Sequence, residues 1–343
     1  MSRYQPPYQI TPAILNRVAD ISELLGRWSA TSKDTLSPQL RRDNRIKTIQ
    51  ASLAIENNTL SVEQVTAVLD GKRVLGLPRE IQEVRNAFIA YEQLTEWNPH
   101  STNDLLTAHG LLMAGLLDDA GAFRSGGVGI YRGEALLHMA PPASRVPVLI
   151  QDLVNWLATS NVHPLIASCI FHYEFEFIHP FADGNGRMGR LWQTLMLSHW
   201  NPILAYLPVE TVIRSQQQTY YQALEQSDKA GDSTVFIAFM LEALHTAMTE
   251  VVTTDQVIVQ VTDQVKRLLM MLDGKDAQKL AELMTSLALQ HKRTFRDNYL
   301  NPALAAELVE MTQPDAPRSP SQKYKLTVKG RDTVFSMNAK TIK

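Results

Sequence analysis

Residues 171 to 190 read FHYEFEFIHPFADGNGRMGR, an aromatic run followed by a glycine-rich stretch. Gly184, Gly186 and Gly189 spell G-x-G-x-x-G, which after a buried strand would mark a dinucleotide loop. A strand at the centre of a parallel sheet is buried on both faces and reads as an unbroken apolar run. Here His172, Glu174 and Glu176 alternate with aromatics, and no other strand–helix–strand pattern exists to build such a sheet. Read as a helix the segment is coherent, with Ile166, Ile170, Tyr173 and Phe177 along one side. That helix must stop near Ile178, because Pro180 disfavours α geometry at His179. His179 is then expected at a helix end, facing a loop.

The rest of the chain agrees with a helical reading. Apolar residues recur three and four apart over Ile14–Trp28, Val84–Trp97, Leu105–Leu117, Val148–Leu157, Tyr220–Leu224 and Phe236–Met248. One short strand pattern, Val128 to His138, centres on Arg132-Gly133 and predicts a hairpin. The fold class is therefore all-α with a small β-hairpin. Three regions are expected: a helical part over 1–95, a helical core over 96–248, and a third beginning at 252. The third ends in three prolines and an alternating run, Lys323 to Val328, before a glycine turn; helices followed by a hairpin point to a winged helix.

Composition narrows the chemistry. The 343 residues carry 33 Lys and Arg against 35 Asp and Glu, a net charge of −2 that calls for no polyanionic partner. From Thr285 onward ten basic residues face five acidic ones, a local +5 that leaves −7 elsewhere. A solvated basic face or an anionic partner both fit that tail. The single cysteine, Cys169, excludes an intrachain disulfide framework and lies in an apolar run, as a buried inert thiol does. The N-terminus lacks the basic flank and apolar core of a signal peptide, and no uninterrupted apolar stretch approaches membrane-span length. The expectation is a cytoplasmic protein without a membrane partner.

The loop itself points to phosphate. Gly184, Asn185 and Gly186 all tolerate left-handed backbone angles, so their N–H groups are expected to turn inward into an anion-holding concavity. Arg187 and Arg190 fall in the first turns of the next helix, where the helix dipole disfavours cations. A bound anion resolves that conflict, with two guanidinium forks clamping neighbouring phosphates. Asp183 beside those phosphates requires a divalent cation, and Mg²⁺ held by one carboxylate plus phosphate oxygens is the usual solution. His179 is the proton acceptor of the segment near neutral pH. Together these residues describe transfer of part of a nucleoside triphosphate to a hydroxyl; the alternative is a histidine that merely caps a helix and arginines in salt bridges. A metal set of His172, Glu176 and His179 has helical spacing, but Pro180 swings His179 off that face.

His179 to Arg190 resembles the Fic family motif H-P-F-x-(D/E)-G-N-G-R-x-x-R at every specified position. Gly121–Arg124, the hairpin after it and Pro141-Pro142 resemble the segment preceding the family's flap. Ser52 to Asn57 resembles the inhibitory motif (S/T)-x-x-x-E-(G/N), and the C-terminal part resembles the winged helix appended to many bacterial members. The resemblance implies a protein adenylyltransferase, which moves AMP from ATP to a Ser, Thr or Tyr hydroxyl of a target protein, the enzyme itself included, and releases pyrophosphate. It implies that His179 deprotonates the hydroxyl, Asp183 holds Mg²⁺, Asn185 and the loop amides position the α-phosphate, and Arg187 and Arg190 grip the β- and γ-phosphates. Phe181 would anchor the loop. Tyr220 and Tyr221 fall where relatives contact adenine, although a core or surface role fits each equally.

Glu56 reaching Arg190, with Ser52 beside it, would take that guanidinium from the γ-phosphate and leave ATP misaligned. An exposed helical glutamate ahead of an Asn-Asn turn is the other reading. In some relatives the same glutamate supports removal of AMP. Two further functions stand as alternatives. One is a Doc-like phosphotransferase, although that branch departs from G-N-G-R and lacks the second arginine. The other is a DNA-binding regulator whose wing carries Lys323, Lys325, Lys329 and Arg331, a surface equally suited to protein contacts or homodimerisation.

Overall fold

A computed structural model describes residues 4–31, 38–132, 135–260, 262–314, 319 and 321–338. The described residues fall into two compact units that part between Thr249 and Glu250, with Pro38–Leu40 alone of the earlier residues grouped with the second. In chain order they contain α1 (Pro12–Thr31), α2 (Pro38–Ile55), α3 (Val62–Leu69), α4 (Pro78–Glu92) and α5 (Thr102–Leu112). A hairpin of β1 (Gly129–Arg132) and β2 (Ala135–Met139) follows, then α6 (Val146–Thr159), α7 (Pro164–Ile178), α8 (Asn185–Trp200), α9 (Val209–Ser215), α10 (Gln217–Ala230) and α11 (Thr234–Gln260). The helices before residue 96 and those from α5 to α10 thus share one unit.

The described residues are all-α apart from two small sheets, and local chemistry sets the helix limits. Ser61 accepts from the Gln64 amide while Gln64 accepts from the Ser61 amide, a reciprocal cap that starts α3. Pro164 stands in the first turn of α7, where its missing N–H costs nothing, and Pro180 ends that helix at Ile178. Almost every residue of α7 from Leu165 to Ile178 is buried, Phe177 being the exception. A helix apolar and buried all round belongs at the centre of a fold, and α7 lies there against α8, itself buried from Arg187 to Ser198. Cys169 donates to the Leu165 carbonyl at 3.1 Å, and burial pushes its thiol up to about 12, so it is inert as expected.

Helix α11 is apolar but interrupted by charged and polar residues. Over Thr234–Val252 it is long and apolar enough to cross a bilayer, with a mean hydropathy of 1.5, and 56 % of that window is buried in the protein. A search for uninterrupted apolar residues misses it because Glu242 and His245 interrupt the run. Phe236, Ile237, Met240, Leu241, Leu244 and Met248 are fully buried along one face.

The hairpin pairs Gly129 with Met139 and Ile130 with His138, shifts register after Ile130, then pairs Arg132 with Ala135. Its turn, including Gly133, lies outside the described residues.

The second unit contains α12 (Asp263–Leu272), β3 (Gln278–Lys279), α13 (Leu280–Ser286), α14 (Lys292–Phe295), a π turn Arg296–Leu300, α15 (Asn301–Ala305), β4 (Val309–Met311), β5 (Lys323–Leu326) and α16 (Val328–Asn338). The antiparallel sheet has the order β3-β5-β4. Tyr324 and Leu326 point inward onto Leu268, Leu283, Phe295 and Val334, while Lys323 and Lys325 face solvent, the period-2 pattern read from the sequence. The expected glycine turn is not there: β5 ends at Leu326 and Gly330 lies inside α16. Gly330 is needed for close approach instead, since any Cβ would collide with the Leu308 carbonyl. Two of the three expected breaking prolines, Pro317 and Pro320, lie outside the described residues.

Candidate functional site

The site is built where α7 stops and α8 starts. His179 takes a left-handed conformation, φ 49° and ψ 62°, immediately after the last turn of α7. Arg124 holds it there: its guanidinium donates to the His179 carbonyl at 2.7 Å, to Ile178 at 3.2 Å and to Pro141 at 2.6 Å, and its own amide donates to Pro180 at 2.9 Å. One buried arginine thereby ties the end of α7 to the segment after the hairpin.

Phe181 is fully buried. Its ring stacks on His109 with centroids 3.6 Å apart and planes 3° from parallel, and Phe123 and Phe175 close the other sides. His109 accepts from the Gly121 amide through Nδ1, so Nε2 carries the proton it donates to the Asp183 carbonyl at 3.0 Å. Burial lowers the pKa of this imidazole, consistent with a neutral ring. Phe181→Ala is expected to cost about 3–5 kcal/mol by opening a cavity under the loop, read as a lower denaturant midpoint.

Asn185 locks the same turn. Its side-chain oxygen accepts from the Phe181 amide and its Nδ2 donates to the Phe181 carbonyl, both at 2.9 Å. The three-residue left-handed concavity expected from the sequence is corrected. Only Gly184 is left-handed, at φ 86°, because α8 already begins at Asn185. The inward N–H donors are therefore first-turn amides of a 16-residue helix, backed by the helix dipole. A Cβ on Gly186 would lie 2.5 Å from Glu56 Oε1, so glycine is required for anything anionic to come this close.

The two arginines diverge. Arg187 turns to Asp183 at 2.9 Å and Glu83 at 3.4 Å, while Arg79, beside Glu83 on α4, reaches the other Asp183 oxygen at 3.2 Å. Arg190 turns to α2. Its Nε donates to Ser52 Oγ at 3.0 Å and its Nη2 to the Ser52 carbonyl at 3.0 Å and Glu56 Oε1 at 2.8 Å. Arg190 is almost wholly buried, whereas Glu56 keeps about a third of its side chain exposed. Ser52 and Glu56 lie four apart on α2 and its final turn, so both project onto one guanidinium.

A cavity of about 220 Å³ collects these groups. Glu56, Gly186 and Arg190 form one part of its lining, His179 and Glu176 another, and Phe177, Tyr220, Tyr221 and Leu224 an apolar shelf, with Glu225 and Asp228 also present. Tyr220 is fixed by donating its hydroxyl to His172 Nε2 at 3.1 Å, while His172 Nδ1 donates to Gln193 at 2.8 Å. The structure thus brings His179, Gly186, Arg190, Tyr220, Tyr221 and Glu56 around one space, with Asp183, Arg187 and the Asn185 side chain on the loop beside it. Lys323, Lys325, Lys329 and Arg331 belong to the second unit, where Lys325 pairs with Glu310 at 3.0 Å. Sequence reading missed His109, Glu83 and Arg79, named Arg124 only as part of the segment before the flap, and took Glu176 only as a candidate metal ligand.

Among the described residues no group of three or more His, Cys, Asp or Glu could hold a metal by itself. The residues nevertheless fit a magnesium ion brought by a triphosphate. Asp183 offers one hard carboxylate, 42 % exposed, whose present partners are the guanidinium groups of Arg187 and Arg79 and the Gly184 amide.

Residues 99–197 match the model of the Fic/DOC family, and residues 263–327 match the Fic-like C-terminal domain of the Filamentation induced by cAMP protein. A crystal structure of a Fic family protein from Desulfovibrio desulfuricans G20 is 63 % identical, covers 95 % of this chain and 99 % of its own, and superposes with a TM-score of 0.72. This chain belongs to the Fic family. Fic-1 (residues 134–508) from C. elegans shares the fold at 23 % identity and a TM-score of 0.58, over 71 % of this chain and 73 % of that one. Among curated relatives, Protein adenylyltransferase Fic of Drosophila mojavensis is 28 % identical over 264 residues, 68 % of this chain and 49 % of its own length. Protein adenylyltransferase fic-1 of Caenorhabditis elegans is 28 % identical over 64 % of this chain and 44 % of its own. The chain spans about half the length of the curated relatives it matches.

Proposed function

We propose that the chain is a protein adenylyltransferase held at rest by Glu56. The observation that carries this reading is the fate of Arg190. A buried guanidinium faces a cavity that also holds a histidine, a helix N-terminus and an aromatic shelf, and its cationic face is filled by a carboxylate of the same chain. A triphosphate would meet the shelf with its base and the first turn of α8 with its phosphates, and it would compete with Glu56 for Arg190.

In the proposed reaction the hydroxyl oxygen of a target Ser, Thr or Tyr attacks the α-phosphorus. His179 takes the hydroxyl proton, the new P–O bond forms in line, and the bond to pyrophosphate breaks. The amides at the start of α8 hold the α-phosphate, Arg190 and Arg187 hold the outer phosphates once their acids release them, and Tyr220 and Tyr221 flank the adenine. Asp183 would hold magnesium, which neutralises phosphate charge when bound. Glu56 stands in the same cavity and also suits the reverse reaction, removal of AMP, as acceptor of a water proton. The second unit, with its helices and three-stranded sheet, we read as a winged helix.

The test uses ATP labelled at the α- or the γ-phosphate. Label from the α-position should appear on protein, including the enzyme itself, and label from the γ-position should not. Transfer of γ-label instead would establish a phosphotransferase, and no transfer together with salt-sensitive binding of duplex DNA would replace the enzyme reading by that of a regulator.

A further inference from the structure

Glu176 sits on the last turn of α7, three residues before His179, and only 9 % of it is exposed. Burying a carboxyl is expensive, and a leucine would serve packing better. The fold nevertheless keeps it, and makes room for it. Gly189 lies inside α8, where glycine costs about 1 kcal/mol relative to alanine. Any Cβ there would stand 2.9 Å from Glu176 Oε1 and 3.0 Å from the His172 ring. The glycine is a notch for these two side chains.

Within that notch the carboxyl is underused. His172 Nε2 lies 3.9 Å from Oε1, but that nitrogen already accepts from Tyr220 and has no proton to give. Oε1 is left buried without a hydrogen-bond partner. The other oxygen, Oε2, lies 4.0 Å from Nδ1 of His179, and both residues line the cavity. Such contacts are commonly long in a resting site and tighten when the reacting complex forms.

We propose that Glu176 is the positioning carboxylate for His179: facing Nδ1, it favours the tautomer with the proton on that nitrogen and leaves Nε2 to take the proton of the target hydroxyl. The inference rests on the adenylyl-transfer reading for its consequence and on geometry for its basis. During transfer the hydroxyl proton goes to Nε2, the α-phosphorus gains the target oxygen and loses pyrophosphate, and the imidazolium so formed is stabilised by the carboxylate behind it.

The groups facing Glu176 connect this pair to the resting contact. They are His172 within α7, His179 just after it, Arg190 on α8, Glu56 after α2, and Tyr220 and Tyr221 on α10. Burial pushes the Glu176 carboxyl up to about 8; Arg190 pulls it down and Glu56 pushes it further up. Departure of Glu56 from Arg190 therefore favours ionised Glu176, so one movement frees the phosphate clamp and readies the carboxylate for an imidazolium.

The experiment compares Glu176→Gln and Glu176→Asp in a Glu56→Gly background. The Gln variant should bind ATP within twofold of its parent by calorimetry yet transfer α-label at least tenfold more slowly. In this background, where Glu56 no longer opposes ionisation of Glu176 beside Arg190, the acid limb of the Gln variant's pH–rate profile should move down by about one unit, because an ionised neighbour raises the pKa of a base and the amide removes that charge. The Asp variant, keeping the charge, should keep the limb. In parallel, NMR titration of the His179 imidazole should show the same downward shift without turnover, so failure of the adenylyl-transfer reading would not blur the outcome. An unmoved His179 midpoint in Glu176→Gln would overturn the proposal. So would a tenfold loss of ATP affinity with the limb in place, which would make Glu176 a nucleotide contact.

Discussion

Glu56→Gly is expected to bind ATP about 10–100-fold more tightly than the parent chain and to self-label in proportion. The estimate follows from the contact removed. A charge-assisted hydrogen bond to a buried guanidinium contributes roughly 1.5–3 kcal/mol, and each 1.4 kcal/mol is about tenfold in an equilibrium. At rest the Glu56 carboxylate stands 2.8 Å from Arg190, and in the proposed function it competes there with a phosphate oxygen. Binding must break that pair before it forms its own, and the glycine variant has nothing to break. Arg190 keeps its two bonds to Ser52, so the guanidinium stays anchored and the fold should persist. Without nucleotide the variant should melt slightly below the parent. With saturating Mg-ATP the order should reverse, since a ligand stabilises by its concentration relative to Kd. Calorimetry and melting curves read both effects, and equal affinities in the two chains would remove Glu56 as the brake.

Much of this site could be read from the chain alone because its main features are local. Pro180 fixes the end of α7, Gly184 fixes the turn, and cations in the first turns of a helix call for anions, which the described residues supply at rest as Asp183, Glu83 and Glu56; the first two inferences use only neighbours in sequence. The contact of Ser52 and Glu56 with Arg190 needed a resemblance, since 134 residues separate the charges. What escaped depends on tertiary approach. His109 is one histidine in an ordinary amphipathic helix until Phe181 stacks on it, and nothing around Arg124 announces that it ties down the carbonyls of Ile178 and His179. Arg187 and Arg190 are near neighbours on the helix surface, yet they point apart because α4 presents Glu83 to one and the end of α2 presents Glu56 to the other. Gly330 misled for a related reason. A glycine after a strand suggests a turn, whereas here it admits the Leu308 carbonyl against a helix.

The second large effect belongs to His179. In the Glu56→Gly background, its replacement should lower the rate of α-label transfer by about 10²–10⁴-fold, the range for loss of a positioned general base, while ATP affinity changes little. Affinity should hold because the phosphate donors in the proposed function are the α8 amides, Arg187 and Arg190, none of which the imidazole supports. The choice of variant matters, since His179 is left-handed at φ 49° and such angles disfavour alanine more than asparagine. His179→Ala could lose activity through a shifted loop. His179→Asn keeps a residue that tolerates the backbone angle, keeps the carbonyl that Arg124 holds at 2.7 Å, and lacks only the basic nitrogen. The two variants should therefore be equally inactive, with the Asn form melting at the parent temperature. If His179→Asn still transferred α-label at near the parental rate, the proton would have to leave the hydroxyl by another route, and the assignment of His179 as base would fall even with nucleotide bound in place.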